Sequence, residues 1–184
     1  MKKIYYGKAV YDNKEIKAVL NVLKNKSLTL IDGENVKKLE KNVSKMFGKK
    51  YGLMVNSGSS ANLLGLSSFN FKKGSEVITP NLTFSTTVAP IYQLGLIPHF
   101  IGVEENKFVA DTSQIEKCIN NKTVAIMIPN LLGNIADWKR INSIAKKHKL
   151  KIIEDSADTI GYTVDKKILE NILMSQQIVF MHHI

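Results

Sequence analysis

The sequence predicts an α/β fold of the three-layer αβα type, with a mostly parallel sheet covered by helices on both faces. Two observations predict it. Short apolar runs of strand length alternate with helix-like runs of about ten residues, the pattern of βαβ units. No internal repeat, low-complexity stretch or linker interrupts that alternation. With 184 residues, 44% of them apolar, the chain has the material for one ordinary domain with a real core.

The elements follow in order. Ile16, Val19, Leu20, Val22 and Leu23 recur at helical spacing over Glu15 to Leu23, and Val36, Leu39, Val43 and Met46 repeat the pattern over Val36 to Phe47. These predict two surface helices, the second stopped by Gly48. Tyr51 to Val55 reads as a short buried strand running into a serine-rich turn, and Ala61 to Phe69 as an apolar helix. Strands are expected at Glu76 to Pro80, Ile97 to Val103, Val124 to Ile128 and Lys151 to Asp155. The intervening helices are Ser85 to Leu94, Ser113 to Ile119 and Ala136 to His148. From Lys166 to Ile184 the residues show neither a clean period nor a convincing next strand.

Composition excludes several classes. No run reaches the roughly 18 uncharged apolar residues that cross a bilayer, so a soluble cytoplasmic protein without a membrane partner is expected. Cys118, the single cysteine, reads as a packed thiol in a helix. The net charge of +10 comes from lysines scattered among acidic residues over Glu34 to Lys50 and Asp137 to Lys151. That distribution describes solvated helix faces rather than a nucleic-acid surface, so no nucleic-acid partner is expected. A basic chain also suits a phosphate-rich small substrate.

Three features carry chemistry. The turn Asn56-Ser57-Gly58-Ser59-Ser60-Ala61-Asn62 leads from a strand into a helix, where backbone amides, the helix dipole and the hydroxyls of Ser59 and Ser60 suit an anion such as phosphate. The same residues would also serve as a plain helix cap. Phe84, just past the strand Glu76 to Pro80, offers a flat ring that could stack on a cofactor or pack in the core. Asp155 ends an apolar strand at the C-terminal edge of the sheet, where open α/β folds place ligands. Its carboxylate needs a partner there, either a helix or salt-bridge contact or a protonated pyridine nitrogen.

The order Asn56-Ser-Gly-Ser-Ser-Ala61, Gly74-Ser-Glu-Val-Ile-Thr-Pro80, Gly95-Leu-Ile-Pro98 and Ile153-Glu-Asp155 resembles the DegT/DnrJ/EryC1/StrS family of sugar aminotransferases and dehydrases. The resemblance runs from about Tyr6 to Asp165. It implies the large domain of a fold-type I transferase dependent on pyridoxal phosphate (PLP) or pyridoxamine phosphate (PMP), acting on a nucleotide-sugar, with a homodimer for the intact family member. It implies that Gly58, Ser59 and Ser60 hold the cofactor phosphate, that Phe84 stacks on the ring and that Asp155 pairs with the ring nitrogen. Asp158 stands where aminotransferases of this group usually carry Gln. With Leu132-Gly133-Asn134 it looks more like the CDP-ketosugar 3-dehydrases, which use PMP and a histidine in place of the usual lysine. Transamination of a similar ketosugar is the alternative, and a non-catalytic remnant that pairs with a full-length copy is another.

In that family the catalytic lysine or histidine follows the Asp at a distance that would fall near His182 and His183, but the residues around them do not match the pattern. Back-translating Lys166 to His183 with AT-rich codons and reading in a shifted frame can spell a segment ending in Phe-Tyr-x-x-His, which resembles the family's next segment. Residues 1–165 are therefore expected to be an incomplete cofactor-binding large domain, and 166–184 a frameshifted, poorly packed tail, with the C-terminal small domain absent, sheet edges uncovered and little or no activity.

Overall fold

The computed structural model describes residues 9–25, 30–31 and 33–159, together with the backbone of 163–164, 167–168 and 177–180. Contacts divide the chain into two compact units, Met1–Lys38 and Leu39–Ile184.

The first unit is built on helix α1 (Asn13–Lys24). Asp12 starts it with a reciprocal cap: Lys14 N donates to Asp12 Oδ1 at 2.6 Å, and Asp12 N donates to Glu15 Oε2 at 2.7 Å. Its apolar stripe of Ile16, Val19, Leu20 and Leu23 is exposed. Helix α2 (Glu34–Met46) begins in this unit and ends in the second.

The second unit carries the sheet. Helix α3 (Gly58–Ser68) precedes β1 (Glu76–Pro80), followed by α4 (Ser85–Gln93), β2 (Ile97–Ile101), α5 (Ile115–Cys118), β3 (Thr123–Pro129), α6 (Trp138–His148) and β4 (Lys151–Asp155). Beyond them lie β5 (Thr163–Val164) and β6 (Lys167–Ile168), an antiparallel pair, and β7 (Gln177–Phe180). The sheet order is β2-β1-β3-β4-β7, and every pairing in it is parallel.

Alternation along the strands sorts the side chains into two layers. Val77, Ala125, Met127 and Ile153 pack with Ala61, Leu66 and Ile91 from α3 and α4. Ile78, Ile126, Ile128 and Ile152 pack with Trp138, Ile141, Ile144 and Ala145 of α6. The chain steps outward from β1 to β2 and then returns past β1 to β3 and β4. That reversal, with crossovers of one hand, puts α4 and α6 on opposite faces. It also opens a crevice at the carboxyl ends of the strands.

Most elements lie where the sequence puts them, with three differences. Tyr51 to Val55 is not a strand: Tyr51 and Leu53 are each 77% exposed. A strand needs a ladder partner, and here the amide of Met54 donates instead to Glu40 Oε1 at 2.8 Å. Gly52 lies so close to α2 that a Cβ would sit 2.6 Å from Glu40 O. The helix expected over Ser113 to Ile119 shrinks to the single turn Ile115–Cys118, because Asp111 Oδ1 takes both the amide and the hydroxyl of Ser113 and holds the preceding residues in a turn. In it Cys118 is partly buried against the α6-side core.

The third difference is β7, which the sequence reading did not foresee. Gln177–Phe180 pairs in parallel with β4, with Asp155 opposite Phe180. The edge of β4 away from β3 offers amides and carbonyls to a further strand, and a short run of Ile, Val and Phe types suits such an edge although it is too brief to show a period. β6 and β7 lie within the stretch expected to be a poorly packed tail, and β7 covers the β4 edge that was expected to stay open. The other residues of 166–184, His182 and His183 among them, fall outside the described residues.

Candidate active site

Each of the three chemistry-bearing features lies at the carboxyl edge of the sheet, and local bonding explains how. Helix α3 is capped by Ser57, whose Oγ accepts from Ser60 N at 3.1 Å. Gly58, Ser59 and Ser60 are its first three residues, so the amides of Gly58 and Ser59 have no acceptor within the helix. Ser60 Oγ donates to Asn56 Oδ1 at 2.7 Å, which braces the turn. Its proton is thereby taken, and Ser59, which is exposed, is the better placed of the two hydroxyls to meet a ligand.

Phe84 occupies the N-cap position of α4 in an extended conformation and is 66% exposed. The core alternative for this ring does not hold, because the side chain is exposed four residues past the end of β1.

Asp155 is the last residue of β4 and is only 7% exposed. Its Oδ2 accepts from Asn62 Nδ2 at 2.9 Å and from Thr87 Oγ1 at 2.8 Å, and its Oδ1 from Ala157 N at 3.2 Å. Asn62 lies one turn into α3 from Gly58, and Thr87 three residues into α4 from Phe84. One carboxylate oxygen therefore ties together the strand end and the first turns of both helices.

Asp158 is exposed, and its Oδ2 accepts from Leu132 N at 2.9 Å. Leu132 and Gly133 both have positive φ, 55° and 80°. Asp158, three residues past Asp155, thus steadies a left-handed turn in the loop after β3.

Glu154 points to the opposite face. Its Oε1 accepts from Ser156 Oγ at 2.6 Å and from Asn130 Nδ2 at 2.8 Å, while Asn130 Oδ1 accepts from Trp138 Nε1 at 2.9 Å. Burial pushes the Glu154 carboxyl above its ordinary range, an effect that these hydrogen bonds only partly offset. The sequence reading did not single out Asn62, Thr87, Asn130 or Glu154. Strand alternation was the available signal: adjacent acids at a strand end must face opposite layers.

The chain matches the DegT/DnrJ/EryC1/StrS aminotransferase family over residues 10–172. The chain belongs to that family. Within it, a GDP-4-keto-6-deoxy-D-mannose 3-dehydratase of Yersinia pseudotuberculosis is 35% identical, over 86% of this chain and 42% of its own length. A 3-oxo-glucose-6-phosphate:glutamate aminotransferase of Bacillus subtilis is 32% identical, over 82% of this chain and 35% of its own. The solved structure of Escherichia coli GDP-4-keto-6-deoxy-D-mannose-3-dehydratase with bound hydrated PLP superposes with a TM-score of 0.80 at 36% identity, covering 87% of this chain and 42% of that one. The chain thus spans less than half the length of these relatives. Among the described residues, no helix is long and apolar enough to cross a membrane.

Proposed function

We propose that this chain is the cofactor-binding portion of a PLP- or PMP-dependent nucleotide-sugar enzyme whose reaction is 3-dehydration of a nucleotide-linked 4-keto-6-deoxyhexose in lipopolysaccharide or deoxysugar synthesis. The observation that carries the reading is the buried Asp155 carboxylate, held at the strand end by three donors, two of them from the helices that begin at Ser57 and at Phe84. This donor set fits the group: amides for a phosphate, a flat ring for stacking and a carboxylate with acceptor capacity remaining for a ring N–H.

When bound, the cofactor supplies an electron sink for negative charge that develops on the substrate. The chain's own residues do the rest. Gly58 and Ser59 receive the phosphate through backbone N–H groups, with Ser60 bracing the turn. Phe84 covers one face of the ring and excludes water from it, and Asp155 keeps a proton on the ring nitrogen. Asp158, holding Leu132, shapes the neighbouring wall of the site. The dehydratase among the relatives favours dehydration, and the aminotransferase among them keeps transamination of a ketosugar as the second reading.

This reading takes residues 1–165 as the large domain and 166–184 as read in a shifted frame, with little or no activity expected of this 184-residue chain alone. It forms no internal lysine adduct. Borohydride reduction after incubation with PLP should leave no stoichiometric, site-specific lysine adduct, and finding one overturns that part of the reading. Titrating the chain with PMP, followed by its fluorescence, should show saturable binding that Asp155→Asn weakens at least about tenfold, the scale of one charge-assisted hydrogen bond. Sequencing the gene beyond the Lys166 codon tests the frame directly. Homodimer formation, or pairing with a full-length copy, is checked by co-purification.

A further inference from the structure

Asn62 carries an unusual pairing of burial and dissatisfaction. It is 2% exposed, and its Oδ1 is buried with no hydrogen-bond partner. A buried acceptor left unsatisfied is destabilising, and an apolar residue of similar size would avoid that loss. The other end of the amide accounts for its presence. Asn62 Nδ2 donates to Thr86 O at 3.1 Å and to Asp155 Oδ2 at 2.9 Å. A backbone carbonyl cannot donate, so the amide can stand only with its NH2 on this side.

Thr87, fully buried in the first turn of α4, gives its single hydroxyl proton to the same Oδ2 at 2.8 Å. Two donors from two helices therefore converge on one oxygen, and a third, the amide of Ala157, reaches Oδ1. Among the described residues, all three hydrogen-bond partners of the carboxylate are donors. With Oδ2 occupied twice, Oδ1 is the oxygen with capacity left for a cationic partner.

We infer that Asn62 and Thr87 are positioning residues: they pin Oδ2 of Asp155 to α3 and α4 and so dedicate Oδ1 to a protonated ring nitrogen. The inference rests on the proposed function, since it supposes that Asp155 meets such a ring. It goes further in assigning the strength of that encounter to two side chains that do not touch the ring.

The test compares PMP with an analogue that carries carbon in place of the ring nitrogen, each titrated against the 184-residue chain and its variants. Asn62→Leu and Thr87→Val should each weaken PMP binding on the order of tenfold and leave binding of the analogue unchanged, while Thr87→Ser, which keeps the hydroxyl, should retain the affinity of the parent chain. The ratio of the two affinities does not depend on how much of a variant is folded, so misfolding cannot imitate the result. Equal loss for both compounds would mean that Asn62 and Thr87 only support the fold, and unchanged PMP binding would mean that the Oδ2 donors do not matter. Either outcome overturns the inference while leaving the proposed function intact. A parent chain that binds PMP no better than the analogue instead overturns the role of Asp155, and the inference falls with it.

Discussion

Glu154 and Asp155 are neighbours of like chemistry placed in opposite environments. Strand alternation turns Asp155 to the α3–α4 side, where it meets donors at the crevice, and Glu154 to the α6 side, where it is buried beside Trp138. Because burial raises the folded-state value of Glu154, its carboxyl resists ionising in the folded chain, whereas the unfolded chain ionises near the ordinary value of 4.5. Its contribution to stability is thus fully present below that pH and is lost as pH rises through the raised folded value. Thermal melts of Glu154→Gln against the parent should show a difference in favour of the variant that widens as pH rises from about 4.5, and a gap independent of pH would contradict this assignment. Asn130 serves as the hub of the same network: its side chain bonds Glu154 and Trp138, and its amide donates to Asp155 O at 2.9 Å. Asn130→Ala should cost about 2–4 kcal/mol in urea unfolding, because it removes one donor from the buried Glu154 carboxyl and the acceptor of the Trp138 indole N–H together.

At the scale of elements, the contrast between Tyr51 to Val55 and β7 is instructive. Both are short apolar runs, yet only Gln177–Phe180 has a neighbouring strand edge to join, and only it is a strand. Tyr51 to Val55 is instead held by α2 through Glu40 and by the close approach at Gly52. Gly52→Ala should destabilise the chain by about 1–3 kcal/mol, since the new methyl meets rigid helix backbone. Chemical denaturation measures this, and a change under about 0.5 kcal/mol would show that the approach is not needed. Helix starts were more legible than strand identity. Asp12 and Asp137 cap their helices, although the sequence reading began the latter at Ala136, and Ser57 begins α3 a few residues ahead of the expected apolar run because the polar Ser-Gly-Ser-Ser stretch is itself the cap and first turn.

At the scale of the whole chain, the layer around α6 is packed and the stripe on α1 is not. Ile141→Ala in the α6 core should cost about 2–5 kcal/mol, whereas Leu23→Ala on the exposed stripe should stay within about 0.5 kcal/mol, both read from urea unfolding. Equal effects would contradict the contrast between a buried core residue and an exposed one. The alternation from α3 to β4, the parallel sheet and the places of the three candidate features at element ends were legible in the sequence, because hydrophobic period and turn chemistry are local properties. Gly58, Phe84 and Asp155 could be named from their places at element ends. Long-range partners were not legible. Nothing in the sequence pairs Asn62 with Asp155, since they meet only when α3 packs across β4, and nothing tells which apolar run finds a strand edge. The sequence by itself determined the αβα alternation and the places of the candidate residues at element ends. Only the tertiary structure decided which oxygen of Asp155 is occupied, which face Glu154 takes and that Phe84 stands exposed, because those depend on how separate elements dock rather than on the residues within any one of them.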